Sequence, residues 1–487
     1  MLPSSAISRV TGVNIEYRNF NEGKAAFLPQ RLAVIGLGNS DLSYSLDKFE
    51  GTGNAADIGE RFGYGSPLHL AARQLYPNLG SGAIFPVTFY PVEALPGAVA
   101  AAGAIGATGA ATTAGTVAVF IAGIFAAIAV AKNDTAAVIL NKLRTAITAM
   151  LEMPVIAGAV ADGSIPITAK WKGATGNEIK IEIDSDVEGV VFQITNMSSG
   201  ALDADIAPAL GKIGQVWETF ILSCFSWNNT QRLDLFQAFG EGRWSELEKK
   251  PLLVAHGSSD DYITRTAVTD TRKDDYINFL IVSVGSRELG FVIAAKGLLS
   301  DIVTTANENP PVGYKGKLSG LHAGKDSLQE NYTTKNNSVA KGSSTNIKTG
   351  SIAELNDIVT FYHPDGENIP SKRYVVDIVK LQNIVFNVRL IMESDRLKGA
   401  PLLGDTTPTV NPRAVQPKTV KTSLVNLADS LANLAIIQDP QFTKNKLVVE
   451  IDSQNPKRLN VKYPVLLSGN VEVSSADIYF GFYLGGE

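Results

Sequence analysis

The chain has 487 residues, a formal charge of −5, and 45% hydrophobic against 19% charged residues. That balance excludes a disordered or membrane-dominated chain and predicts a globular protein of several domains with an ample core. Basic residues nowhere cluster, so no direct nucleic-acid partner is expected; the single cysteine, Cys224, excludes an intrachain disulfide and a thiolate metal cluster.

The chain start carries no basic segment followed by an apolar stretch, so no secretory signal is read and synthesis in the cytoplasm is expected. "TGVNIEYRNF" then places Val13, Ile15 and Tyr17 on one face of a strand. "QRLAVIGLGNSD" (30–41) holds a short apolar run that reads as a buried strand. Between Glu93 and Lys132 no charged side chain occurs. Such a run raises a membrane helix, which needs about 20 apolar residues. Gly97, Gly103, Gly106, Gly109, Gly115 and Gly123 punctuate it, and each would cost a helix interior about 0.8–1 kcal/mol relative to Ala. Aromatic belts and basic flanks are missing as well. "TVAVFIAGIFAAIAV" (116–130) therefore reads as two buried strands meeting near Gly123, and no membrane partner is expected.

Next comes an amphipathic helix in "NDTAAVILNKLRTAITAM", with Asp134 or Thr135 as cap and Ile139, Leu143 and Ile147 at i+4 spacing. "MPVIAGAVADGSIPITAKW" gives two extended runs about an Asp162-Gly163 turn. "NEIKIEID" alternates Ile179, Ile181 and Ile183 with charged residues, a half-buried strand. Together these make a compact α+β unit over 97–198. From 216 strands and helices alternate: "VWETFILSCF", "NTQRLDLFQAFGEG", "PLLVAHG", a helix near 260–272, "YINFLIVS" and "SRELGFVIAAKGLLSDIV". That order predicts a parallel, helix-covered sheet. The polar composition of 307–350 reads as loops. Beyond 361 come a helix or two in "KRYVVDIVKLQNIVFNVRLIME", another in "PKTVKTSLVNLADSLANLA", and strands in "NKLVVEID", "RLNVKYPVLL" and "GNVEVSSADIYFGFYLG".

Catalytic chemistry is sparse. "GLGNSD" (36–41) has Asp41 where a dinucleotide loop needs its third glycine, and no amphipathic helix opens there, so it reads as a turn. "AHGSSDD" (255–261) sets His256 beside Ser258, Ser259 and Asp260. Triad members converge from separate elements, so the expected role is a strand ending at Gly257 with Ser259 or Asp260 capping a helix. His69, His322 and His363 show no ligand spacing, and neither a P-loop nor a G-x-S-x-G elbow occurs. No enzyme, metal or cofactor is expected. The two ends say more. Ile478, Phe480, Phe482 and Leu484 alternate with Tyr479, Gly481 and Tyr483 at the end of the chain, as Val13, Ile15 and Tyr17 do near its start. Chain ends are normally polar and frayed. Apolar strands there pair either within their own sheet or with neighbouring subunits, where backbone bonds adhere and side chains set the register.

The sequence resembles the tail sheath proteins of contractile-tailed bacteriophages, in particular their Mu-like branch. The resemblance rests on "GYGSPLHLAARQLYP" (63–77), "FPVTFYPVEALPGAVAAAGAIGATGAATTAGTVAVFIAG" (85–123) and "PVIAGAVADGSIPITAKWKGATGNEIKIEI" (154–183). Family positions fall on Gly63, Gly65 and Ser66, on the Gly97–Gly123 run, and on Lys172, Gly173, Gly176, Asn177 and Ile179. The likeness continues more weakly to the C-terminus and loosens over 307–350. It implies a non-enzymatic subunit of hexameric rings, stacked helically around a tail tube and contracting to drive that tube through a host envelope. Implied partners are further copies of the chain, the tube protein, and baseplate and tail terminator proteins; the implied location is the virion tail. It also implies that a helix of the C-terminal domain faces the tube, for which 417–435 is the candidate; there the spacing of Leu424, Leu427, Leu431 and Leu434 gives a stripe for the core and leaves Lys418, Lys421, Asn426 and Asp429 to a partner, with Lys418 and Lys421 as the tube contact.

The expected architecture is thus α/β and α+β multidomain: an N-terminal arm (1–22), a central domain with a helix-covered mixed sheet (23–96 and 199–360), a β-rich α+β insertion (97–198), and a C-terminal α+β domain (361–487) whose arm is 470–487. The alternative is an α/β hydrolase-like enzyme with a β insertion, motivated by the 216–300 alternation and His256.

Overall fold

The structure, a computed structural model, describes residues 25–77, 84–367, 370–472, 474–478 and 480. They form two compact units, one from Pro29 to Gln382 and a smaller one that takes the chain up to Leu28 and from Asn383 on. The fold is mixed α/β with several sheets.

The larger unit opens with β1 (Leu32–Leu37), β2 (Phe49–Glu50), helices α1 (Ala55–Phe62) and α2 (Pro67–Leu75), and β3 (Val87–Val92). Ser66 caps α2 by accepting the His69 N–H, and Pro67 stands in its first turn, where a missing donor costs nothing.

Residues 97–203 then build two antiparallel sheets of their own. Strands β4 (Ala100–Gly109), β5 (Gly115–Ile121) and β6 (Ile124–Val130) precede α3 (Ala136–Ala149), which Thr135 begins. After it come β7 (Val155–Ala157), β8 (Ser164–Lys172), a 3-10 turn (Ala174–Glu178), β9 (Ile181–Ser185) and β10 (Val190–Ser198). One sheet has the order β10-β4-β8-β7 and the other β6-β5-β9. The charge-free run is therefore three strands. Ala122 and Gly123, at φ of 49° and 80°, make the tight turn between β5 and β6. Both strands are half-buried rather than buried: Val117, Val119 and Ile121 face inward in alternation, because an antiparallel sheet covers one face only. Among the described residues no helix is long and apolar enough to cross a membrane.

The chain returns through α4 (Ala207–Ile213), β11 (Phe220–Ser223), α5 (Thr230–Trp244), β12 (Leu253–Ser258), α6 (Tyr262–Thr269), β13 (Asn278–Val282), α7 (Gly290–Gly297) and, past one π turn, α8 (Val303–Glu308). The main sheet has the order β13-β12-β11-β1-β3-β2, parallel except for β2. Every residue of β1, β3, β11, β12 and β13 is buried, as parallel strands under helices on both faces must be. Strand β12 runs one residue past Gly257, and the cap of α6 is Asp261, which accepts the Thr264 N–H, in place of Ser259 or Asp260. The stretch read as loops contains α9 (Tyr332–Ala340) and the hairpin β14 (Thr345–Thr349) with β15 (Ile352–Asn356). Composition misled there because α9 is polar on nearly every face; Asn331 caps it, and the buried Arg265–Glu330 pair at 2.7 Å ties its start to α6.

Helix α10 (Val375–Met392) is a single element and carries the boundary between the units. The smaller unit continues with α11 (Pro417–Asn433), α12 (Pro440–Lys446), and a hairpin of β16 (Val448–Ile451) with β17 (Leu459–Lys462). Leu424, Leu427 and Leu431 are buried as their spacing requires, while Leu434, past the helix end, is half-buried. The strand expected in "GNVEVSSADIYFGFYLG" is not present among its described residues, 470–472, 474–478 and 480. A strand is defined by a partner's backbone.

Candidate functional site

The triad material at 255–261 is spent on structure. His256 lies buried on β12, its Nε2 at 2.9 Å from Asn278 Oδ1 and its ring edge-on to Phe236. Asn278 in turn donates to Asp275 at 2.8 Å, and Arg272 holds the same carboxylate at 3.0 Å. Burial pushes the His256 imidazole down to about 4, so it is neutral at physiological pH. Ser258 donates to Asp260 at 3.0 Å, and Ser259 accepts from Lys180 at 2.8 Å.

In an open α/β sheet, ligands bind in the crevice at the carboxyl ends of the strands. Here the inserted sheets fill that place. Beyond β1, the Ser40 N–H donates to the Lys170 carbonyl at 2.8 Å, and beyond β11 the Ser226 N–H donates to Thr175 Oγ1 at 3.3 Å. Beyond β12 and β13, Lys180 Nζ donates to Ser259 and to the Ser286 carbonyl, the latter at 2.6 Å. Arg232 pairs with Asp203 at 2.9 Å, and Arg287 pairs with Glu182 at 2.7 Å while lying over the Phe120 ring. "GLGNSD" is closed as a turn: Asn39 N–H bonds the Phe62 carbonyl, and no helix begins before Ala55. Among the described residues, no three His, Cys, Asp or Glu stand together as metal ligands.

The remaining residues singled out in the sequence belong to the smaller unit. Residues 25–28 are pinned by side chains. Ala25 N–H donates to Ser430 Oγ at 2.7 Å, Ala26 exchanges two bonds with Asn387, and Leu28 N–H donates to Asn383 Oδ1 at 2.8 Å. These asparagines escaped the sequence reading; the signal was two amides four residues apart inside the apolar run "QNIVFNV". Val13, Ile15, Tyr17 and Phe482 lie outside the described residues. Ile478 and Phe480 are exposed by 81% and 93%, a state that water disfavours for a large apolar side chain. Among the described residues the β16–β17 hairpin is a two-stranded sheet, an architecture that is marginal without further strands. On α11, Lys418, Lys421 and Asn426 are exposed, whereas Asp429 is paired with Lys444 of α12 at 2.6 Å.

No family model matches the chain. It is 27% identical over 380 residues to the Mu-like prophage FluMu tail sheath protein of Haemophilus influenzae, a match spanning 76% of this chain and 77% of that protein. The chain is a homologue of a tail sheath protein. Sheath tail proteins of known structure are similar to it as well. That of Desulfitobacterium hafniense has 12% identity and a TM-score of 0.47, covering 90% of this chain and 93% of its own. That of Listeria innocua has 10% identity and a TM-score of 0.49, covering 92% and 94%. The sequence relative is a structural tail protein, not an enzyme, which disposes of the hydrolase-like alternative along with the buried, neutral His256.

Proposed function

We propose that this chain is the repeating subunit of a contractile phage tail sheath, assembled as stacked hexameric rings around a tail tube and shortening to drive that tube through a host envelope. The single observation that carries the proposal is the sequence relationship to a tail sheath protein over three quarters of the chain. Residues 1–22 and 470–487 act as arms, and the exposed Ile478 and Phe480, together with Val13, Ile15, Tyr17 and Phe482, lie in strands added to neighbouring copies. The β16–β17 hairpin, two-stranded among the described residues, is their acceptor, because a sheet edge offers backbone donors and acceptors. Residues 97–198 form a peripheral body on the outer face of the particle, on a central domain made of 23–96 and 199–360. Lys418 and Lys421 face the tube, and baseplate and terminator proteins close the stack. In this reading the extended sheath is a kinetically trapped state, and contraction releases energy through new contacts between copies.

Electron microscopy of the purified protein at high concentration tests the reading. Tubes or stacked rings are expected, and deletion of either 6–20 or 470–485 should leave soluble, folded small species. Normal tubes from both deletions would remove the strand-exchange mechanism, and dispersed monomers of the full chain at every concentration would remove the sheath assignment.

A further inference from the structure

Just before α10 a lysine sits among three aromatic rings. Thr360 bridges Phe279 of β13, and the Phe361 N–H donates to the Asn278 carbonyl at 3.1 Å, so this segment extends the edge of the main sheet. The next segment pairs onto that extension. Tyr374 bridges Val359, the Thr360 N–H donates to the Arg373 carbonyl at 2.7 Å, and Thr360 Oγ1 donates to the Lys372 carbonyl at 2.8 Å. Lys372 is thereby held where Trp244, the last residue of α5, meets Tyr276 and Tyr362. Its Nζ stands 3.6 Å from the centre of the Tyr276 ring and 5.9 Å from those of Trp244 and Tyr362. Trp244 and Tyr362 each lie at 87° to Tyr276. The three rings make a floor and two upright walls.

A ring face attracts a cation within about 6 Å of its centre, and several such faces are how proteins recognise quaternary ammonium groups. All four side chains are half-buried, so the cage opens to water. Burial pushes the Lys372 ammonium below its ordinary pKa, against the charges of Glu241 and Glu367, which favour a cation there. A primary ammonium fits this cage poorly. It carries three N–H donors, and among the described residues Lys372 Nζ makes no hydrogen bond and no ion pair. A quaternary ammonium brings the same charge with no donor to satisfy, and it turns methyl groups to the rings. Glu241 and Glu367 also act on the ligand's other end, because they repel a carboxylate or phosphate carried beside the cation.

We propose that Trp244, Tyr276 and Tyr362 form a binding site for a small quaternary ammonium ion of the choline type, which Lys372 plugs when the ligand is absent. The site is independent of the sheath reading and uses none of its contact residues.

The test is calorimetric titration of the full-length chain with choline chloride, with sodium chloride at the same ionic strength as reference. The parent should bind choline saturably, and Lys372→Ala should bind it about tenfold tighter, because the tethered competitor is gone. Tyr362→Leu, a change in a loop, should weaken binding about tenfold with the thermal midpoint unchanged. Glycine betaine and phosphocholine should bind about tenfold more weakly than choline. No heat beyond that of sodium chloride in either the parent or Lys372→Ala overturns the site. Binding that survives Tyr362→Leu at parental strength also overturns it, by placing choline elsewhere. Binding by Lys372→Ala alone overturns it too, since Lys372 would then be a permanent structural pin.

Discussion

Asn387 clasps Ala26 through both of its backbone groups: Oδ1 accepts the Ala26 N–H at 2.7 Å, and Nδ2 donates to the Ala26 carbonyl at 2.8 Å. A side-chain amide thus does here what a neighbouring strand would do, and it fixes the backbone at Ala26. Replacing Asn387 with Leu keeps the volume and removes both bonds, leaving part-buried groups unpaired at about 1–3 kcal/mol. The Asn387→Leu protein should lose about 2–3 kcal/mol in urea unfolding, with faster amide exchange at Ala26. Exchange at the parental rate would show that the clasp does not hold this segment.

Lys418 and Lys421 should respond differently to charge reversal. Lys418 Nζ donates to the Asp405 carbonyl at 2.8 Å and its N–H to the Asp405 carboxylate, so Lys418 braces the loop before α11. Lys418→Glu brings a second carboxylate beside Asp405, and a loss of about 1 kcal/mol in stability is expected. Lys421→Glu should leave stability within about 0.5 kcal/mol and loosen the sheath from an extended tail, with contracted sheath unaffected. Equal loss of both forms on Lys421→Glu would place this lysine between copies instead.

Glu178 gives the junction of the insertion a pH dependence. Burial lifts its carboxyl to about 7, opposed by a bond from Ser226 and reinforced by the charges of Asp260 and Asp203. Its folded-state pKa is above the unfolded one, so the native chain keeps a proton that the unfolded chain has already released. Stability is lost as pH rises from about 4.5 to about 7, and is flat beyond. Glu178→Gln copies the protonated side chain and should remove this slope. Between pH 5 and pH 8 the parent should lose about 2–3 kcal/mol relative to the variant. Parallel urea-stability curves for the two proteins would count against a protonated Glu178.

His256 carries the opposite sign. Burial holds its folded-state pKa at about 4 against an ordinary 6.5, so its contribution is complete above about pH 6.5 and is lost as pH falls toward 4, where the unfolded chain takes up the proton first. His69, pushed down to about 4 by burial and then by Arg73 and Lys170, acts in the same direction. His256→Gln should therefore flatten the acid limb of the stability profile. An unchanged slope between pH 4 and pH 6.5 would mean that His256 titrates alike folded and unfolded.

Gly257 and Gly290 allow β12 and α7 to meet backbone to backbone. A Cβ on Gly257 would stand 1.7 Å from the Gly290 carbonyl oxygen, and one on Gly290 would stand 2.2 Å from that of Gly257. Neither obstacle is a side chain that can turn aside, so Gly257→Ala should cost more than about 3 kcal/mol. A thermal midpoint within two degrees of the parent would contradict the contact.

Within one chain, legibility followed the range of the interaction. The turn at Ala122 and Gly123, the stripe of Leu424, Leu427 and Leu431, and the β/α alternation from 216 are written in neighbouring residues, because a strand's period of two, a helix's 3.6 and a glycine's freedom at positive φ are local properties. So is the poverty of catalytic motifs, which made His256 a structural histidine before its surroundings were known.

Tertiary structure alone decided what fills the carboxyl ends of the parallel strands. Thr175 is 51 residues in sequence from Ser226, and Lys180 is 79 from Ser259 and 106 from Ser286; no local pattern encodes which distant strand end a lysine will reach. Asn383 and Asn387 are the same case: amides in an apolar helix announce a buried partner, but only the fold shows that the partner is the backbone of residues 26 and 28. Helix α9 was hidden for the converse reason. Its residues bury little, so its helicity comes from the Asn331 cap and the Arg265–Glu330 pair, contacts that exist only once the chain has folded around them.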